Sequence, residues 1–321
     1  MQGKRILITG GAGFIGSNFI RYILNKYPKY KLTNLDKLTY CGNLNNLTDI
    51  QKNPNYEFIK GDICEAGTVN DIAKGCEAII NFAAQTHVDR SIADASEFIR
   101  TNVYGTYILL EAAKKYNLSK FIHISTDEVY GSRQSGSFKE DDALCPNSPY
   151  AASKAAADHL VHSYNITYKL PVIIIRSSNN FGPYQFPEKV IPLFITNALQ
   201  DKGLPLYGDG LNVRDWLYVL DNCRAIDLIL HKGETGQIYN VAAENELTNL
   251  ELTRLILKIM QKPEGLIKYV KDRPGHDRRY SIDSAKIRSL GWQPQAEFQE
   301  SLKETLKWYQ DNQQWWEKLK S

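Results

Sequence analysis

The 321-residue chain is poor in the features that mark several protein classes. It has five cysteines, Cys41, Cys64, Cys76, Cys145 and Cys223, an odd number with no Cys-x-x-Cys pair. Such spacing argues against a disulfide framework or a zinc site and fits a reducing cytoplasm. Charge of one sign is also scarce: 39 Lys+Arg face 36 Asp+Glu, leaving a net +3 without a dense basic cluster. Nucleic acid is therefore not an expected partner. No apolar run approaches the ~18 residues of a membrane span. The opening Met1-Gln2-Gly3-Lys4-Arg5 leads into only Ile6-Leu7-Ile8 before glycines begin, too short an apolar region for a secretion signal. There is no internal repeat and no low-complexity tract. What remains is an ordinary globular composition, 43% hydrophobic and 23% charged. The length suits about two domains, or one large α/β unit with an appendage.

Short apolar runs alternate with helical patterns through residue 176. Strands are predicted at 4–9, 31–36, 56–60, 77–83, 120–125 and 171–176, with helices near 14–26, 67–75, 96–116 and 149–168. Continuous runs of Ile, Val and Phe read as strands buried on both faces. Their alternation with helices predicts a parallel, doubly wound α/β sheet of the Rossmann type. After residue 176 Pro and Gly become frequent and the alternation weakens. One more strand is predicted at 237–242, with helices near 248–261 and 298–318. The expectation is a nucleotide-binding core over 1–176 and a smaller lobe over 177–321, some segments of which return to the core. Trp308, Trp315 and Trp316, on the last helix, read as packing residues.

The strongest local signal is Gly10-Gly11-Ala12-Gly13-Phe14-Ile15-Gly16. It follows a hydrophobic strand and opens an amphipathic helix, the context a dinucleotide fingerprint requires. Gly10, Gly13 and Gly16 permit a tight turn and close backbone approach to a pyrophosphate. The helix that begins at Phe14-Ile15 aims its unpaired N–H groups and positive dipole end at that anion. Asp36 ends the second strand, where a carboxylate accepts from ribose hydroxyls and repels a 2′-phosphate, favouring NAD over NADP. Lys37 follows directly and could tolerate that phosphate. Asp62, in Gly61-Asp62-Ile63, is a candidate partner for the adenine amino group. Small residues around Ala83 let the cofactor pass closely.

Tyr150 and Lys154 are four apart on a predicted helix and share one face. A lysine ammonium near a phenol favours the phenolate. Such a tyrosine can act as general base toward a sugar hydroxyl while hydride leaves the same carbon. Ser125-Thr126-Asp127-Glu128 closes the fifth strand, at the edge of a parallel sheet where ligands bind. Thr126 offers a hydroxyl to the same substrate oxygen. Asp127 and Glu128, two carboxyl groups at such a strand end, suggest a proton donor and a proton acceptor.

Taken together, the glycine motif, Asp36, Thr126 and Tyr150-x-x-x-Lys154 resemble the extended short-chain dehydrogenase/reductase superfamily. Longer segments narrow the resemblance. Asp36-Lys37-Leu38-Thr39-Tyr40, Thr86-His87-Val88-Asp89-Arg90-Ser91, Thr126-Asp127-Glu128-Val129-Tyr130-Gly131 and Ser178-Asn179-Asn180-Phe181-Gly182-Pro183-Tyr184-Gln185 are similar to the dTDP-glucose 4,6-dehydratase family. So are Pro187-Glu188-Lys189, Gly208-Asp209-Gly210-Leu211-Asn212-Val213-Arg214-Asp215-Trp216 and Asp272-Arg273-Pro274-Gly275-His276-Asp277-Arg278-Arg279-Tyr280. The resemblance runs from about residue 4 to 318. Gln85 departs from it, standing where most relatives carry an acidic residue.

The resemblance implies NAD as a bound catalyst that is not consumed, and dTDP-glucose or a related nucleotide sugar as substrate. It implies that Tyr150 deprotonates the 4-hydroxyl with help from Thr126. Glu128 removes the C5 proton, Asp127 protonates the leaving 6-hydroxyl, and Lys154 holds the nicotinamide ribose. Asn179, Lys189, Arg214 and Arg279 would serve the diphosphate, with Asn249 on the same side. Tyr207 and the backbone around Pro205 would read the base. His87, Glu188 and Val190 complete the expected substrate contacts. A 4-epimerase or decarboxylase of the same superfamily, or a dehydratase of a UDP sugar, is the alternative; an epimerase has no need of the Asp127–Glu128 pair. A homodimer is expected, formed through the helices at 96–116 and 149–168, which carry Ile108, Leu109, Leu160 and Val161.

Overall fold

The computed structural model describes residues 4–320, so Met1 to Gly3 and Ser321 lie outside it. The first half builds a sheet. β1 (Arg5–Thr9) leads through the glycine loop to α1 (Phe14–Lys26), then β2 (Lys31–Asp36), β3 (Tyr56–Lys60), α2 (Ala66–Ala73) and β4 (Ala78–Asn81). A short α3 (Val88–Ala93) precedes α4 (Ser96–Phe98), a π-helical stretch (Ile99–Gly105) and α5 (Thr106–Lys115). β5 (Lys120–Thr126), α6 (Pro149–Tyr168) and β6 (Val172–Ser177) follow. Ser148 caps α6 by accepting from Ala151 N–H, and Pro149 occupies its first turn.

The strands pair in parallel in the order β3-β2-β1-β4-β5-β6, and β10 (Ile238–Val241) joins beside β6 as a seventh. The order reverses between β1 and β4, which opens a crevice at the carboxyl ends of the strands. Alternation within each strand explains the unbroken apolar runs. Ile6 and Ile8 face one helical layer while Leu7 faces the other; Ile173 and Ile175 oppose Ile174 in the same way. The first layer holds Phe19, Ile20 and Ile23 of α1, and the second holds Leu109, Ala113 and Val161. Both faces of the inner strands are therefore dry, while β3 at the edge is partly exposed.

The second half was the less legible. β7 (Asn179–Phe181), α7 (Val190–Leu199), β8 (Leu204–Tyr207), β9 (Val213–Tyr218) and α8 (Val219–Lys232) precede β10. β11 (Glu246–Thr248), α9 (Asn249–Met260), β12 (Ile267–Val270) and α10 (Ala285–Ser289) come after it. Two small sheets result, β11-β9-β7 and β12-β8. The expected single helix at 298–318 is two, α11 (Phe298–Asp311) and α12 (Gln313–Lys320). The chain turns at Asn312, whose side chain donates to Trp308 O at 2.8 Å. That break brings the rings of Trp308 and Trp315 edge to face at 5.0 Å and buries Trp316 completely. Helices α7 and α8 were not anticipated. α7 is apolar on nearly every side, so it shows little amphipathic period, and α8 begins directly after β9 with no Gly or Pro between them. Among the described residues no helix is long and apolar enough to cross a membrane.

Candidate active site

The glycine loop illustrates two different needs for glycine. Gly10 has φ +71°, and a Cβ there would lie 2.5 Å from Ala83 N, so fold geometry alone forbids a side chain. A Cβ on Gly13 would meet only Gly10 O, at 3.3 Å. Its bareness serves the cavity it lines, where α1 opens at Phe14 without a side-chain cap on its N–H groups. Asp36 closes the adenosine end. One of its carboxylate oxygens accepts from Ala12 N–H at 2.9 Å and the other from Leu38 N–H at 2.8 Å. Burial pushes its pKa up and these two hydrogen bonds oppose the shift. Each oxygen keeps a lone pair for a ribose hydroxyl. Lys37 is not a free cation for a 2′-phosphate: its Nζ is 2.9 Å from Asp62. Burial opposes ionisation of Asp62, but Cys64 N–H and Lys37 hold its pKa below the usual carboxylate range. Gly10, Gly13, Phe14, Ile15, Gly16, Asp36, Lys37, Asp62, Ile63 and Ala83 all line one cavity, which extends to Tyr150 and Lys154. The departure at Gln85 leaves the loop backbone anchored, because Gln85 N–H donates to Asn102 at 2.8 Å.

Thr126 is the last residue of β5, and its hydroxyl accepts from Glu128 N–H at 3.3 Å as the chain enters a tight 3-10 turn. The same hydroxyl donates to Asp127 at 3.2 Å. Tyr150 enters from the first turn of α6, held by Ser91 Oγ against its backbone N–H and by the edge of Phe98. Thr126, Asp127, Tyr150 and Lys154 are all buried. Burial, reinforced by the neighbouring Glu128, raises the Asp127 pKa to about 8, against the pull of Arg214. Burial also raises Glu128, but Lys189, Arg273 and Arg214 oppose it. Two carboxyl groups adjacent in sequence thus occupy unlike environments. The expected effect of Lys154 on Tyr150 does not dominate. Desolvation and Glu128 push the phenol up, with Thr126 opposing. Lys154 instead donates to Ile124 O at 2.7 Å, and burial lowers its pKa to about 8.

A second cavity adjoins the first, and the two share Glu128, Asn179, Phe186, Glu188 and Lys189. His87, Val190, Pro205, Tyr207, Arg214 and Asn249 line it, so nine of the ten expected substrate residues meet there. Glu188 accepts from Tyr40 at 2.8 Å, and Arg90 covers the Tyr40 ring at 3.7 Å, so these groups bridge the cofactor loop and the second cavity. Arg279 is the exception. Its guanidinium forms a bidentate pair with Glu246 at 2.8 and 2.7 Å and donates to Gly136 O, outside both cavities. A carboxylate of matching fork geometry claims it. Arg273, His276 and Tyr280, from the same Asp272–Tyr280 segment, face the cavity instead. Within that segment, the expected Arg279 lies outside the cavity and Arg273 lines it. Polar atoms without a partner in the protein concentrate here: Ser125 Oγ, Asp127 Oδ2, Ser178 Oγ and Asn179 Oδ1 on the first cavity, Trp216 Nε1 and Arg273 Nε on the second. Buried groups of that kind call for a ligand. With the bare Gly13 cradle and Asp36, the first cavity fits a dinucleotide.

A family model described as GDP-mannose 4,6 dehydratase matches residues 7–305, and the chain belongs to that family. Within it, the chain is 51% identical to a dTDP-glucose 4,6-dehydratase of Streptomyces niveus, covering 99% of this chain and 96% of that protein. It is also similar to the crystal structure of a dTDP-glucose 4,6-dehydratase from Streptomyces venezuelae with NAD bound, with TM-score 0.96 and 50% identity, covering 98% of this chain and 99% of that one. A UDP-glucuronic acid 4-epimerase from Bacillus cereus shares the fold at TM-score 0.89 and 29% identity, over 96% of this chain and 99% of that one.

The role of Asp36 has a direct test. Asp36→Ala removes a charged acceptor, so NAD binding should weaken roughly 10–100-fold, the worth of a hydrogen bond to a charged group. The preference over NADP should narrow with it. Fluorescence titration of both dinucleotides checks this; wild-type binding of NADP as tight as NAD would refute the role.

Proposed function

We propose that the protein is a dTDP-glucose 4,6-dehydratase that forms dTDP-4-keto-6-deoxyglucose with the loss of water. The observation that carries this reading is the buried Asp127–Glu128 pair set beside Thr126 and Tyr150. An epimerase needs only the tyrosine and lysine, and the epimerase neighbour is the more distant one at 29% identity. The dTDP-specific relatives near 50% identity support the nucleotide, and the NAD-bound neighbour supports the cofactor.

The cofactor, when bound, accepts hydride from the sugar C4 and returns it to C6. The remaining steps belong to the chain. Tyr150 acts as its phenolate, which the positive charges of Lys154 and of the oxidised nicotinamide would favour against burial, and takes the 4-hydroxyl proton, with the Thr126 hydroxyl bonded to the same oxygen. The 4-ketone so formed acidifies C5–H, which Glu128 removes, its anion supported by Lys189, Arg273 and Arg214. Asp127, a neutral acid below pH ~8, gives its proton to the 6-hydroxyl, and water departs. Glu128 returns its proton to C5, and release of the Tyr150 proton to solvent with uptake of one by Asp127 resets both groups. The sugar loses water and undergoes no net oxidation.

The nucleotide is assigned to the second cavity, with Arg214, Asn249 and Arg273 toward its phosphates and Pro205 and Tyr207 toward its base. We place the protein in the cytoplasm, where its five unpaired cysteines are stable. We also assign a homodimer. Ile108, Leu109 and Val161, first considered for the interface, are spent on the protomer's own core. Ile99, Tyr104, Tyr107, Ile166 and Tyr168, 40–58% exposed, lie on the same two helical segments and supply the uncovered apolar face.

Three measurements test this reading. Glu128→Gln should still reduce bound NAD on addition of dTDP-glucose, yet fail to exchange C5–H with deuterated solvent, while Tyr150→Phe should do neither. Overall turnover in Glu128→Gln should fall about 10²–10⁴-fold; wild-type C5 exchange would remove Glu128 from the base role. Because Asp127 works in its protonated form, turnover should decline as pH rises through about 8. The water-loss step of Asp127→Asn, followed in a single turnover after NAD has been reduced, should lack that decline, and a flat wild-type turnover profile to pH 9.5 would contradict the assignment. Light scattering should report a dimer at micromolar concentration, where a stable monomer would exclude the interface.

A further inference from the structure

Behind the catalytic lysine lies a buried ionisable cluster that the reaction steps do not use. His123, on β5, is fully buried, with Nε2 3.3 Å from Lys154 Nζ and 3.8 Å from Asp158. Its Nδ1 lies 3.3 Å from Asn81 Nδ2, so a ring protonated at Nδ1 requires the Asn81 amide to turn its oxygen toward the ring. Asp158, one turn beyond Lys154 on α6, gives one oxygen to Arg176 Nε at 2.8 Å, while its other oxygen has no hydrogen-bond partner. Arg176 also donates to Tyr130 at 2.7 Å. The Asp158–Arg176 pair is close to neutral as a unit, so His123 is the group that separates it from Lys154.

An ammonium has three protons to place. Lys154 gives one to Ile124 O, and a second is free to point into the cleft. The third faces His123. An aliphatic residue there would leave it unbonded in the core, which favours the neutral amine. A carboxylate there would bind it as a fixed ion pair. A neutral imidazole accepts the proton without adding charge. Burial, with Lys154 and Arg176 adding to it, drives the His123 pKa well below its ordinary value, so the ring is an uncharged acceptor at working pH.

We propose that His123 is a positioning residue for Lys154, holding one ammonium proton from behind so that Lys154 stays charged and aimed into the cleft. The proposal rests on Lys154 serving the oxidation step. The charged or titratable groups around the pair are Asp158 and Tyr150 from α6, Arg176 from β6, and Asp127 and Glu128 from the end of β5. Only the last two face the cleft with Tyr150, and they act after the first step.

The first step can therefore be read alone, as the appearance of reduced NAD in a single turnover with dTDP-glucose across pH 6–9. His123→Leu should slow it roughly 10–100-fold, the worth of a hydrogen bond to a charged group. Its decline at high pH should move about one unit lower, as Lys154 loses its proton more readily, with KM for the sugar unchanged within threefold. His123→Gln, which keeps an acceptor, should restore most of the rate and the profile. In ¹⁵N-histidine spectra of the wild-type holoenzyme, one ring should stay neutral with an unprotonated Nε2 throughout this pH range, and that signal should vanish in both variants. A folded His123→Leu protein with the wild-type profile overturns the proposal. So does a His123 ring that is cationic, or protonated at Nε2, in the wild type, and this reading stands even if His123→Leu fails to fold. Wild-type protein that never reduces NAD with dTDP-glucose counts against the dehydratase reading instead, and the ring spectra still decide the contact.

Discussion

The exclusion of water at the carboxyl end of β5 is the constraint on which the rest of the structure depends. Asp127, Tyr150 and Lys154 are ionisable groups kept out of solvent, and each is displaced from its ordinary pKa mainly by burial. Burial of that kind is costly unless nearby dipoles and charges answer it. The sheet supplies a carbonyl from Ile124, the turn after β5 supplies a backbone N–H for the Thr126 hydroxyl, and the lobe supplies cations. These buried groups and the fold that shelters them cannot be described separately.

The unlike environments of Asp127 and Glu128 follow from which charges reach each of them. Arg214 and the Thr126 hydroxyl oppose the burial of Asp127, which already feels the charge of Glu128. Glu128 faces Lys189, Arg273 and Arg214, three cations drawn from three distant segments. Lys189 is fixed by Thr86 O at 2.8 Å, and Arg214 by Asp277 O at 2.9 Å and the face of Tyr280. The lobe thus tunes the chemistry as well as shaping a binding surface.

Much of this was legible in the sequence because its signals were local. β1, β4, β5 and β6 are largely apolar runs, β2 and β3 are more mixed, and the boundaries of all six fall within a few residues of those expected. The glycine loop, Asp36, Thr126-Asp127-Glu128 and Tyr150-x-x-x-Lys154 each carry their meaning in a handful of neighbouring positions. What failed depends on contacts between distant positions. Whether Arg273 or Arg279 faces the cleft is decided by Glu246, and no short-range pattern records that carboxylate. The state of Tyr150 and Lys154 is set by burial, which a four-residue spacing does not report. α7 and α8 were hidden because an apolar helix lacks an amphipathic period, and a helix fused to a strand lacks a punctuating Gly or Pro.

β10 adds a consequence for the way the chain is made. It is the edge strand beside β6, yet it is synthesised only after β7, α7, β8, β9 and α8. α8 packs on α1, at the opposite end of the sequence, within the same apolar layer. A nascent chain that has reached only Ser177 therefore carries an open strand edge on β6 and an uncovered face on α1. Such surfaces invite pairing with other chains. The nucleotide-binding sheet closes only once Val241 has left the ribosome, and a fragment cut at the end of β6 would emerge as an aggregation-prone half, not as a free-standing binding module.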